Sequence, residues 1–340
     1  MQSRDYIDAI KPQVGNILPT ILITVFLWCE WLQPKVCTTI TEGILLGDSP
    51  LSILLNQGWD MQSNAAKCVS IGLLFATAYF TIAINQTFAF IPVRTILPSL
   101  FFLLFTSMLM RPHLFSMSLV MAVIFAIITY ICFRLSEGDE NASMQTFNIG
   151  LLLGLTTLTT MSTIVFLLWI LVFLYHIRQL SIRTTIAVFM GCALPILYAT
   201  LYFASTDRLS FWLDYLTSNS IFDDINDFAG TSLATRVYMS VILVTSLYSM
   251  AKVALERHHQ SIKARYESTF MMVNYLLSLS IILLSPSDAY LFIPVHIFFG
   301  SFLIGHALSS LFDIINKMIW CIILIATVLY FIFPNYNYTA

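Results

Sequence analysis

The sequence predicts an all-α, polytopic integral membrane protein of about eleven transmembrane helices with a cytoplasmic N-terminus, and three observations carry that expectation. The first is composition. Of 340 residues, 58% are hydrophobic and only 10% charged, with a mean hydropathy of +0.84, where a soluble domain carries about 25% charged residues. So few charges cannot build a polar shell, and the surplus apolar surface must face lipid. The second is continuity: the apolar residues fall in unbroken runs without the alternation of a barrel strand, and in lipid only a helix satisfies such a run's backbone amides internally. The third is the uneven placement of basic residues between the runs.

The first apolar run covers 16–32, behind an opening segment with Arg4, Asp5, Asp8 and Lys11. No small-residue cleavage site follows it, so it reads as a retained signal-anchor helix. Further runs cover 68–90, 95–110, 113–133, 146–160, 162–177, 184–205, 235–255, 268–285, 289–308 and 316–333. Several are shorter than the roughly 20 residues of a perpendicular crossing. The runs that abut near Arg111 and Met161 read either as tight hairpins or as broken helices. Gly150 and Gly154 lie one turn apart on one helix face, which either admits a second helix at close range or is incidental in a glycine-tolerant membrane helix.

Counted from a cytoplasmic N-terminus, Arg4, Lys11, Arg94, Arg134, Arg178, Arg183, Lys252, Arg257, Lys263, Arg265 and Lys317 fall inside, which is eleven of the 16 basic residues. The chain reads as one transmembrane domain, 1–340, with external segments at 33–67 and 205–235 and a basic cytoplasmic loop at 256–266. The first external segment reads as lying along the membrane surface. The second combines Phe211, Trp212 and Leu213 with an acidic tip of Asp223, Asp224 and Asp227, the pattern of an amphipathic interfacial turn. The basic loop reads as a topology determinant and anionic-lipid contact.

A net charge of -2 gives no reason to expect a nucleic-acid partner. The six cysteines show no metal-ligand spacing and read as small buried hydrophobes, with Cys37 and Cys68 able to pair if their loop faces an oxidising compartment. No metal site is expected from spacing, and Walker, HExxH, GxSxG and Rossmann patterns are absent.

Charges in or beside a span are each a candidate site. Arg94 either snorkels to lipid headgroups or binds a lipid substrate's phosphate. Arg111 and His113 flank Pro112 at a hairpin tip, either an interfacial turn or a grip on a diphosphate or carboxylate. Glu30, between Trp28 and Trp31, is either a surface carboxylate or an acid placed for catalysis at the external face. His296 and His306 lie about 80° apart on one helix, with Asp313 and Lys317 beyond, and read either as satisfied buried histidines or as a proton relay.

The run Asn148-Ile149-Gly150-Leu151-Leu152-Leu153-Gly154-Leu155, then Thr156 to Thr160, a helix containing Trp169, the sequence His176-Ile177-Arg178 and a span with Pro195 together resemble the middle of GT-C type polytopic glycosyltransferases. The Arg111-Pro112 hairpin and the helix ending at Arg134 fit the same layout, and the resemblance covers 94–206. Uncharacterised bacterial inner-membrane families of similar length look alike. The resemblance implies a lipid-phosphate-linked sugar as substrate and an acid of the first external loop as catalytic base. Glu30 and Asp48 are the expected catalytic residues, Arg94, Arg111 and His113 the expected substrate-binding residues, and a divalent metal the cofactor if the chain is catalytic. The paired acidic motif of that family is missing, since Glu30, Glu42, Asp48 and Asp60 stand apart. The expected function is therefore work on a lipid-linked substrate in envelope biogenesis at a bacterial inner membrane. The alternatives are a non-catalytic subunit that scaffolds an envelope or secretion complex through protein partners, and a transporter.

Overall fold

The computed structural model describes residues 49–56, 64–91, 95–109, 116–138, 141–218, 233–309 and 314–332. Among these the chain is helical throughout, with twelve α-helices: α1 Pro50–Asn56, α2 Asn64–Phe88, α3 Leu97–Leu109, α4 Met117–Ser136, α5 Ala142–Thr157, α6 Ile164–His176, α7 Ile182–Ser205, α8 Leu209–Ser218, α9 Leu233–Glu256, α10 Ile262–Leu284, α11 Pro286–Leu308 and α12 Ile314–Ile332. Six of them, α2, α4, α7, α9, α10 and α11, are long and apolar enough to cross a membrane. Shorter apolar helices cover Leu97–Leu109, Met161–His176 and Ile314–Tyr330.

Helix boundaries follow local chemistry. Ser116 caps α4, Ser261 caps α10, and Ser181 with Thr184 forms a reciprocal capping box at the start of α7. Pro286 takes the first helical position of α11, where its missing N–H is no loss. Hydroxyls within the apolar helices are satisfied by carbonyls one turn back, as in Thr129 to Phe125 at 2.8 Å and Ser301 to Phe298 at 2.7 Å. After α2, Asn85 accepts from the Ile91 amide at 3.1 Å and donates to the Thr95 carbonyl at 3.0 Å, tying the chain on either side of 92–94 to the helix end.

Helix α11 is the axis of the bundle, with α3, α4, α9 and α10 around it. Its Phe292, Val295, Phe298, Phe299, Phe302 and Leu303 are fully buried. Phe125 of α4 meets Phe166 of α6 and Phe299 of α11 edge-on, and Phe166 in turn stacks on Phe292. Helices α7 and α12 join the edge of this core through Val188, Cys192 and Ile323 and otherwise present exposed Ile, Leu, Met and Val side chains, the surface a lipid solvent requires.

The adjoining runs at Met161 form a hairpin, turned through a 3-10 segment at Met161–Thr163, and α5 and α7 run parallel beside each other. Their contact is glycine against backbone: a Cβ on Gly154 would stand 2.5 Å from the Cys192 carbonyl oxygen, and one on Gly191 2.8 Å from the Leu151 nitrogen. Gly150 and Gly154 therefore do admit a helix at close range.

Candidate functional site

The two ends of the bundle carry different chemistry. At one end, the α5–α6 turn meets the α10–α11 turn through Asp288. Serine and threonine occupy six of the eight positions from Thr156 to Thr163, and such residues favour turns because their hydroxyls bond neighbouring backbone. Here Thr160 accepts from the Ser162 amide at 3.3 Å and Thr163 donates to the Thr160 carbonyl at 2.9 Å. The hydroxyls of Thr160 and Ser162 then both donate to Asp288 Oδ2, each at 2.5 Å. Asp288 is the third residue of α11, where the helix dipole favours a carboxylate. A single residue, Ser285, separates α10 from α11 and places the acid at this end.

Helix α8 packs beside this cup. Trp212 stacks between Phe203 and Tyr215, with ring centroids 5.7 Å from each, and its Nε1 donates to Thr200 at 3.0 Å. The buried Tyr215 hydroxyl donates to the Thr157 carbonyl at 2.9 Å. Burial first, and the Asp288 charge second, push that phenol above its ordinary pKa. The amide of Leu51 in α1 donates to the Leu158 carbonyl at 3.2 Å, adding a second short helix at the rim. The arrangement holds a partly exposed carboxylate at the first turn of α11, among hydroxyl donors and beside an aromatic helix.

The opposite end is ionic. Lys263 lies 2.5 Å from Glu137 and 3.7 Å from the buried Glu267, with its ammonium 5.4 Å from the centre of the Phe88 ring. His306 is buried against Phe90, and its Nδ1 is 3.7 Å from Glu256. Lys252 donates to the Ala307 carbonyl at 3.1 Å and to Asn316 at 3.4 Å. Between the ends, His296 stacks on Tyr275 at 4.3 Å and meets the Ser278 hydroxyl at 3.0 Å, while the Tyr275 and Ser246 hydroxyls are hydrogen-bonded. The two histidines thus face different neighbours and are not brought together.

Glu30, Asp48, Arg94, Arg111 and His113 lie outside the described residues, as do Asp313, Cys37 and the acidic tip at 223–227. Asp288, Thr160, Ser162 and Tyr215 were not among the candidate residues named from sequence, where the stretch Ser285-Pro286-Ser287-Asp288 closes the run at 268–285 and fills the gap before 289–308. Its pattern is a helix start, with serine before proline and an acid at the third helical position, and that signal marks Asp288. Among the described residues no group of three His, Cys, Asp or Glu is placed to hold a metal ion. No protein-family model matches the chain, and neither curated proteins nor solved structures match it.

Proposed function

We propose that this helical membrane protein crosses a bacterial inner membrane about eleven times from a cytoplasmic N-terminus and handles a lipid-linked substrate, such as a polyprenyl-phosphate-linked sugar, at the outer face. The observation that carries the reading is the Asp288 cup. A cytoplasmic N-terminus puts the α5–α6 and α10–α11 turns outside, so the carboxylate stands where a lipid headgroup would meet an aqueous acceptor. Its role is to accept a hydrogen bond or a proton from an acceptor hydroxyl, with Thr160 and Ser162 fixing its orientation. The GT-C-like layout of 94–206 supports the same reading, with Arg111 and His113 as phosphate contacts and Glu30 and Asp48 as further carboxylates of that face, while Arg94 falls on the cytoplasmic side and takes no part in it.

The test is native mass spectrometry of the protein released gently from its own membrane, with Asp288→Asn and Arg111→Ala beside the wild type. The reading expects a co-purifying polyprenyl phosphate or sugar lipid that Arg111→Ala loses and Asp288→Asn retains without turnover. A stoichiometric protein partner with no such lipid would sink it in favour of a scaffold. A second reading, a transporter, draws on the buried line of Ser246, Tyr275, His296 and Ser278 across α9, α10 and α11. It expects proton flux in proteoliposomes that His296→Ala abolishes.

A further inference from the structure

A groove of about 510 Å³ opens at the Lys263 end of the bundle, away from Asp288, lined by Tyr175, His176, Arg178, Leu180 and Tyr266. Its walls come from the end of α6, the α6–α7 turn and the second turn of α10. The His176 ring meets Tyr266 edge-on at 4.9 Å, which joins the two walls. Two of the five lining residues are basic types and none is acidic, and among the described residues neither His176 nor Arg178 takes part in an ion pair.

The backbone at Arg178 is informative. The Arg178 amide bonds the Tyr175 carbonyl at 3.1 Å and the Gln179 amide the Leu174 carbonyl at 2.9 Å. This closes α6 in a Schellman turn with Arg178 at the left-handed position, φ 60°. Glycine is the usual occupant there, and a side chain with a Cβ is strained. The turn thus holds Arg178 at a position that favours glycine, a conformation Ala89 also adopts after α2, and it presents the guanidinium at the groove. The surroundings belong to a lipid surface: Tyr175, Leu180 and Ile182 are exposed on helix ends whose other faces are apolar.

We propose that this groove binds the phosphate of an anionic phospholipid headgroup, with Arg178 as the main cationic contact, His176 as a second donor, and Tyr175 and Tyr266 as the aromatic walls at headgroup depth. Guanidinium suits this task because its planar donors pair with phosphate oxygens in a fork. Basic pockets between helices at the membrane boundary take headgroups by the same physics. The site stands independently of the Asp288 reading, since it uses other residues at the other end of the bundle.

The test loads full-length protein, delipidated in detergent, with defined phosphatidylglycerol or phosphatidylcholine and reads retained lipid by native mass spectrometry. Wild type is expected to retain phosphatidylglycerol over phosphatidylcholine. Arg178→Gln, which makes the same backbone demand, is expected to bind it about fivefold more weakly, the factor one basic contact with an anionic surface supplies. Arg178→Lys should restore part of the loss. Lys317→Gln, an exposed basic residue at the same end but outside the groove, should leave retention unchanged. Equal retention of the two lipids, or equal losses in Arg178→Gln and Lys317→Gln, would overturn the proposal. Arg178-dependent binding of inorganic phosphate without lipid retention would overturn it in favour of a soluble phosphate.

Discussion

Alanine at Gly191 puts a methyl group into the backbone of the neighbouring helix. The new Cβ would stand 2.8 Å from the Leu151 nitrogen and 3.2 Å from the Gly150 carbonyl carbon, with the Phe147 oxygen nearer still, where ordinary contact begins at 3.4 Å. These are backbone atoms, so no rotamer change relieves the overlap, and α7 must retreat along its contact with α5 by more than the 0.6 Å (3.4 − 2.8) that the Leu151 nitrogen alone requires, since the Phe147 oxygen is nearer. A gap of that order forfeits about a quarter to a half of each dispersion contact along the seam. Overpacking of this kind costs about 1–3 kcal/mol, offset by about 1 kcal/mol of better helix propensity in alanine. With rigid backbone on both sides the upper end applies, and the expected net loss is about 2 kcal/mol. Gly72 in α2 is the control: nothing lies within 4 Å of its Cβ position, so alanine there should be neutral or should stabilise by up to about 1 kcal/mol. The assay is reversible unfolding in mixed micelles on adding dodecyl sulfate, followed by tryptophan fluorescence. Gly191→Ala as stable as the wild type would refute the reasoning. So would a Gly150→Ala, Gly191→Ala double variant that loses the full sum of the single effects, because one separation of the helices accommodates both methyls.

Three other outcomes follow from the structure. Lys263→Ala leaves the buried Glu267 without its nearest cation and should destabilise by about 1–3 kcal/mol, and Lys263→Ala with Glu267→Gln should recover more than half of that in the same unfolding assay. Trp212→Phe keeps the stack on Phe203 and Tyr215 but loses the Nε1 bond to Thr200, for about 1 kcal/mol, and adding Thr200→Val should lose little more. The phenol of Tyr215 has a raised pKa in the folded protein, so its contribution is complete below about pH 10, where free tyrosine ionises, and fades as pH rises towards the folded value. Tyr215→Phe should therefore flatten the alkaline fall in stability above about pH 10, measured as unfolding midpoint against pH.

Fold class was legible because the lipid environment writes itself into composition: so few charges and such continuous apolar runs admit only helices in a bilayer. Approximate spans followed for the same reason, and α4, α7, α9 and α11 overlap the runs read at 113–133, 184–205, 235–255 and 289–308. Finer boundaries were hidden by capping. The α10 helix starts at Ile262, not at 268, because Ser261 caps it and because Lys263 and Glu267 compensate each other's charge inside the first two turns. The site was largely illegible. A rule that searches for charges near spans found His296 and His306, yet Asp288 looked like loop, since nothing in one sequence says that Thr160 and Ser162, more than 120 residues earlier, supply its hydrogen bonds. The glycines were ambiguous for a related reason: Gly150 and Gly154 acquire meaning only once Val188, Cys192 and Pro195 are known to lie across from them.

The single-residue link at Ser285 bears on how the chain is made. Helices emerge from the ribosome in sequence order, and the axial helix α11 is next to last among those described. The earlier helices must enter the membrane before the segment that they will enclose. With Ser285 alone between them, α10 and α11 can leave the translocon as one folded hairpin, its facing sides already joined by the Tyr275–His296 stack and the Ser278 hydrogen bond. The imidazole then never has to meet lipid alone, and the last large step of assembly becomes the sliding of a preformed pair into a waiting ring.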